Sequence, residues 1–403
     1  MKTNFLKISL ILILVINSIS TFGQDSRAQL PLALRNAYTE VNVGYINYPF
    51  GSTQFATNVL GYNFQSVEVP HAAVRLVLYG YEFNKYLSAQ LSYMRPVIWV
   101  HYFYDKNSVN YKSSVWMNIG GLTLKPQLPM GKRFSIYGEA GWGIITRHGF
   151  NDPQFHKPLV TSANYSTILL GAGLKYHVNN HWAWQLSTTY SPEKKSVNQP
   201  ATTFLSAGFQ YKLLKVSKEK LEKAANTGYI HPANLIQIGY SSNLLGYGVN
   251  NALEKACLFW GGDAEVRQGI SINYQRNIFH SAKYFSLNLG VSAGLWQTNI
   301  NKQNFYALSI YPLFRYDFLH TKPVDAYFYY SVAGPSYISD IILDGKDTGK
   351  HFTFQDTMGA GVFFGEKRTY NAELKIGHYS NGNIFPRNGA VKIPLSLNVG
   401  YTF

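Results

Sequence analysis

The chain has 403 residues, with 36 Lys and Arg against 21 Asp and Glu, for a formal net charge of +15. Charged residues make up only 14% of it while aromatic residues reach 16%, with 31 Tyr and 34 Gly, which excludes an ordinary soluble enzyme. Average hydropathy is slightly polar, and no segment approaches the roughly 18 uninterrupted apolar residues that a membrane-spanning helix needs.

Residues 1–23 read as a secretory signal: Lys2 and Lys7 flank the start of a nine-residue, largely apolar run from Ile8 to Ile16, and small polar residues follow to a cleavage point near Gly23 and Gln24. The run is too short to cross a bilayer. The single cysteine, Cys257, rules out an intrachain disulfide and reads as a small apolar residue.

From Tyr38 onward, segments of about ten residues alternate apolar with small or polar residues, and turn residues bound each one. Val41, Val43 and Tyr45 oppose Glu40, Asn42 and Gly44; Phe285, Leu287, Leu289 and Val291 oppose Ser286, Asn288, Gly290 and Ser292. Eight such strands are expected at roughly 39–48, 71–82, 86–101, 113–126, 133–146, 164–177, 181–190 and 202–214. Eight more are expected at roughly 235–242, 263–276, 283–297, 304–318, 324–334, 353–364, 369–380 and 392–403. Connections alternate long and short, as they do when long loops face outside and short turns face the periplasm. Residues 215–233 are charged and helix-favouring up to Ala225, then stopped by Gly228 and Pro232, and read as a periplasmic linker.

The expected fold is therefore all-β: two tandem eight-stranded antiparallel transmembrane β-barrels, residues 36–214 and 234–403, with apolar faces outward. The alternative is one sixteen-stranded barrel; the two differ in whether strand 202–214 pairs with 39–48 or with 235–242. The aromatic end Tyr401-Thr402-Phe403 is typical of outer-membrane barrels, and it places the exported chain in the outer membrane of a Gram-negative bacterium.

Chemistry concentrates in residues 374–388, L-K-I-G-H-Y-S-N-G-N-I-F-P-R-N. With a period of two, Leu374, Ile376, His378 and Ser380 share one face, and Lys375, Gly377 and Tyr379 the other. The apolar face meets lipid, so a base and a hydroxyl stand where unpartnered polar groups cost about 2–7 kcal/mol each. The seventh strand of the second barrel runs outward, which puts both at the outer rim. A faint repeat, Thr189-Tyr190-Ser191 against His378-Tyr379-Ser380, replaces His by Thr and turns Thr189 and Ser191 inward, so the first barrel is expected to be non-catalytic.

G-H-Y-S-N-G-N-I-F-P-R-N resembles the H-x-S-N…N signature of the PagL-type outer-membrane lipid A deacylases, over about residues 234–403. The resemblance implies a carboxylic ester hydrolase that removes an ester-linked acyl chain from lipid A, the lipid part of lipopolysaccharide, with Ser380 as nucleophile and His378 as general base. It places Asn388 near the oxyanion and Asn381 directly after the nucleophile. The family's acid lies about twelve residues beyond the serine, where this chain has Lys392, and residues 374–403 hold no acid. Glu373 faces the lumen by parity.

No cofactor or metal is expected. Asp340, Asp344 and Asp347 have the spacing of no cation loop, and residues 359–365 lack the helix a phosphate loop requires. Nucleic acid is not an expected partner; the basic excess suits lipid phosphates. The competing function is a non-catalytic barrel, structural, assembly-related or a narrow channel. Nothing in the sequence signals an oligomeric state.

Overall fold

The computed structural model describes residues 27–56, 61–256 and 261–403. The expected signal peptide and Cys257 lie outside the described residues.

The first barrel is an up-and-down meander of β1 (Ala37–Asn47), β2 (Ala72–Asn84), β3 (Leu87–Pro96), β4 (Val109–Met130), β5 (Phe134–His148), β6 (Ala163–His177), β7 (Trp182–Ser191) and β8 (Thr202–Lys212). Each strand pairs with its neighbours in sequence, and β8 returns to β1 from Tyr38 opposite Lys212 to Asn47 opposite Thr203. The second repeats the plan with β9 (Asn234–Ser242), β10 (Ala264–His280), β11 (Phe285–Thr298), β12 (Asn304–His320), β13 (Val324–Ile338), β14 (Phe352–Phe364), β15 (Tyr370–Ser380) and β16 (Val391–Thr402). It closes where β9 meets β16. Because β8 pairs with β1 and not with β9, the chain forms two eight-stranded barrels and not one of sixteen.

The sixteen wall strands follow the alternation read from the sequence, and the first barrel extends it at one rim. Beyond Pro96 the chain forms a rim strand, Val100–Lys106, that pairs with the first residues of β4 and with Asn63–Glu68. Tyr48, Phe50, Phe55, Tyr62, Tyr102 and Tyr104 pack beneath this extension into a buried aromatic cluster.

The polarity of the walls is the reverse of a soluble protein's. Val43, Tyr45, Leu122, Leu124, Trp142, Ile144, Trp184 and Leu205 are exposed on the first barrel, and Ile236, Ile238, Ile270, Ile272, Leu295, Leu397 and Val399 on the second. Polar residues fill the interiors. Lys125 Nζ meets Glu40 Oε1 at 2.8 Å, and Arg75 pairs with Glu139. In the second lumen Tyr327 and Tyr329 donate to the Glu373 carboxylate at 2.7 and 3.2 Å, and Lys375 reaches Asn273 at 3.1 Å. An apolar exterior over a polar interior is the arrangement that hydrocarbon imposes on a closed sheet. Interiors this filled with side chains also weaken the channel reading.

Between the barrels, α1 (Lys218–Ala225) is capped by Ser217, whose hydroxyl accepts from the Lys220 N–H. The segment after it lies against one end of the second barrel, with Tyr229 tilted over His320 at 4.1 Å and His231 stacked on His280 at 4.2 Å. Arg27 donates to the His231 carbonyl at 3.3 Å. Burial, and then the neighbouring His280, push the His231 imidazole down from 6.5 to about 3.

Two outcomes follow from these contacts. Lys125→Met leaves Glu40 buried without its cation and should lower unfolding stability by about 3–5 kcal/mol, while the Glu40→Gln/Lys125→Met double variant should recover most of it; urea titration followed by gel mobility reads both. His231 has a depressed folded pKa, so its contribution is present above the unfolded value of 6.5 and is lost as pH falls towards about 3. The wild-type urea midpoint should therefore drop between pH 7 and pH 4 more steeply than that of His231→Phe, which keeps the ring stack without the titration.

Candidate active site on the outer wall of the second barrel

The site is built on β14 and β15. Their register is unbroken from Phe364 opposite Tyr370 to Phe354 opposite Ser380, so one parity holds along both strands. Tyr379 turns inward, where its hydroxyl accepts from Gln355 Nε2 at 3.3 Å. His378 and Ser380 therefore stand on the exterior wall, the face expected from the sequence.

The register also supplies a carboxylate that sequence reasoning missed. Asp356 lies directly opposite His378 on β14, on the same exterior face, and its Oδ2 is 3.4 Å from His378 Nδ1. Directly opposed side chains on one face are within contact range by construction. Asp356 is held from its other side by a bulge in β13, where Val332 and Ala333 together oppose it. Ala333 there adopts φ +52°, an uncommon conformation for a residue with a Cβ, and its N–H reaches Asp356 Oδ1 at 2.6 Å. The signal was present in the sequence: Asp356 interrupts an outward series of Phe352, Phe354, Met358 and Val362, and a carboxylate on a lipid-facing wall needs a partner.

The family's acid position holds Lys392, and the register of β15 and β16 sets where that lysine stands. Pro394 cannot donate to the sheet ladder, and the β15–β16 register slips there, from Lys375 opposite Ser396 to Gly377 opposite Ile393. The slip turns Lys392 onto the exterior, opposite His378. Its ammonium lies 3.4 Å from Glu254 and 3.5 Å from Glu265. One flank of His378 thus carries a cation balanced by two carboxylates, and the other flank carries Asp356.

The connection from β9 to β10 covers the pair. Its helix α2 (Gly248–Ala256) brings Asn250 to the carbonyls of Ile393 and Gly377, at 3.0 and 3.4 Å, beside the slipped register. The same connection sets the Gly261 carbonyl 2.9 Å from His378 Nε2. His378 is consequently 1% exposed although it points outward, whereas Ser380 at the strand end is half-buried.

The turn after Ser380 is fixed by the two asparagines. The Asn381 N–H donates to Asn388 Oδ1 at 2.8 Å, and Asn381 Nδ2 donates to the carbonyls of Thr348 and Arg387 at 2.9 and 2.5 Å. Asn388 Nδ2 donates to Asn383 Oδ1 at 2.8 Å. Their amide donors are engaged in folding the turn. The donor presented to Ser380 Oγ is instead the Gly382 N–H, at 3.3 Å. Asp344 caps the Ile300 and Asn301 N–H groups and Asp347 pairs with Arg387, so no cluster of three metal-ligating side chains gathers among the described residues.

Comparison with known proteins divides the chain at the same place as the fold. Residues 17–212 match the family model described as outer membrane protein beta-barrel domain, and residues 265–401 match lipid A 3-O-deacylase (PagL). The structure is similar to the outer membrane enzyme PagL, at 13% identity and TM-score 0.30, covering 42% of this chain and 100% of that one. It is also similar to Neisserial surface protein A, at 15% identity and TM-score 0.29, covering 44% and 97%. OprG from Pseudomonas aeruginosa stands at 14% and 0.28, again covering 44% and 97%. No curated protein matches the chain. The first half of the chain is thus similar to outer-membrane β-barrel domains and the C-terminal half to the lipid A deacylases.

Removing Asn388 tests the turn. Asn388→Ala deletes the acceptor for the Asn381 N–H, an unmade bond costing about 1–3 kcal/mol locally. Limited proteolysis should cut the variant within residues 381–390 several-fold faster than wild type while both barrels keep their heat-modifiable gel mobility.

Proposed function

We propose that the protein is an outer-membrane esterase that hydrolyses an ester-linked acyl chain of lipid A by a serine mechanism on the exterior of its second barrel. The observation that carries the reading is the placement of Asp356, His378 and Ser380 on one outward face, with the carboxylate against the imidazole. Polar groups on an apolar wall are costly without partners, and their gathering at one place supports a functional role.

In this reading Ser380 Oγ attacks the acyl carbonyl carbon and its proton passes to His378 Nε2. Nε2 first gives up its bond to the Gly261 carbonyl and the ring proton moves to Nδ1, facing Asp356, so that Nε2 presents a lone pair to the serine; the connection over β15 shifts when substrate enters. Asp356 holds the ring through Nδ1 and stabilises the imidazolium. The Gly382 N–H supplies charge stabilisation where the oxyanion forms, and Asn381 and Asn388 act by holding that turn. Collapse expels the sugar hydroxyl, which takes the proton back from His378. Water, deprotonated by the same nitrogen, then releases the fatty acid and regenerates the serine. Arg387, exposed in the neighbouring turn, is placed to meet a lipid phosphate. With the linker end in the periplasm, the site lies level with the outer, lipopolysaccharide leaflet.

Mass spectrometry of lipid A from cells expressing wild type, Ser380→Ala, His378→Ala and Asp356→Asn decides the matter. Wild type should produce lipid A lacking one acyl chain. The first two variants should produce none, and Asp356→Asn should slow the reaction by roughly 10²–10⁴-fold. Four identical spectra would leave the non-catalytic barrel standing.

A further inference from the structure

The exterior of the first barrel carries a row of polar groups with no place on a lipid-facing wall. Asn118 on β4 lies opposite Thr146 on β5, and Thr146 opposite Asn164 on β6. Tyr93 on β3 stands one step away, opposite Gly120. All four point outward, because Leu91, Leu122, Ile144 and Ile168 on the same faces of those strands are exposed. Yet Asn118 and Thr146 are only 2% and 1% exposed.

The turn that follows Ser380 covers them. Tyr93 Oη donates to the Gly382 carbonyl at 3.0 Å and Asn118 Nδ2 to the Asn383 carbonyl at 3.0 Å. Thr146 Oγ1 and Asn164 Nδ2 both donate to the Ile384 carbonyl, at 2.9 and 2.8 Å. Gly382 and Asn383 adopt left-handed φ values of +61° and +59°, which turn successive carbonyls away from their own barrel. Four donors on adjacent strands of one barrel meet three consecutive acceptors of the other, and each group would cost several kcal/mol if left facing hydrocarbon.

We infer that the first barrel is the positioning partner of the second barrel's site: its outer wall grips residues 382–384 and thereby holds the Gly382 N–H against Ser380 Oγ. This rests on the esterase reading above for its consequence, and on the contacts alone for the docking.

Two measurements separate these parts. In a Cys257→Ser background, Asn164→Cys and Ile384→Cys are treated in outer-membrane vesicles with a short bismaleimide, and the chain is then cut at a protease site inserted in α1. The two halves should remain one band on a denaturing gel; halves that separate although both cysteines alkylate overturn the docking. The second measurement combines Asn118→Leu, Thr146→Val and Asn164→Leu, apolar changes that a lipid-facing wall accommodates, so both barrels keep their heat-modifiable mobility. Lipid A deacylation in the same vesicles should fall by about tenfold or more, as a displaced catalytic donor dictates, and stay at the wild-type rate for Thr188→Val, an outward polar residue on β7 outside the four-donor row. A triple variant within about twofold of wild type overturns the positioning role. If wild type itself does not deacylate lipid A, the positioning role falls with the esterase reading, and the cross-link still decides the docking.

Discussion

Hydrocarbon accepts no hydrogen bonds, and that single constraint shapes every part of this protein. It forces each sheet to close on itself, since an open edge would strand a row of N–H and C=O groups in lipid. It sends Glu40, Arg75, Lys125 and Glu139 inward, where they neutralise one another. It also makes any polar group left on the outer walls informative, because the fold must provide that group with a partner.

Two groups of such exceptions among the described residues meet. On the second barrel, Asp356 and His378 face outward but are closed over by the β9–β10 connection and braced by the Ala333 N–H. On the first, Tyr93, Asn118, Thr146 and Asn164 face outward and are capped by the turn that begins two residues after Ser380. Each wall satisfies its polar groups with backbone from elsewhere, and both arrangements converge on the same serine. The two neighbouring strands differ in charge beside His378: the strand after it presents Lys392, while the strand before it presents Asp356.

The walls were legible in the sequence because alternation with a period of two is enforced by lipid on one side and by packed polar side chains on the other. The strands, and the placement of His378 and Ser380 on the apolar face, followed from parity, and the export signal and aromatic end turned that face outward. Closure did not, since β8 could meet β1 or β9 with the same alternation, and only the pairing decides. Asp356 was missed for a related reason. Its partnership with His378 depends on inter-strand register, which no spacing along one strand reveals, although a carboxylate between Phe354 and Met358 marked the place. The resemblance led reasoning towards position 392, where a proline-induced slip places a lysine. The asparagines were expected at the oxyanion and are found folding the turn, because their amides bond to loop carbonyls that sequence alone could not place.

The central claim is that Ser380 is a nucleophile driven by an imidazole that Asp356 orients. A fluorophosphonate probe applied to outer-membrane vesicles, with the adduct located by peptide mass spectrometry, tests it without any assumption about the lipid. The account predicts an adduct on Ser380 that forms at least tenfold more slowly in Asp356→Asn. No adduct on Ser380, or equal rates in the two proteins, would contradict it.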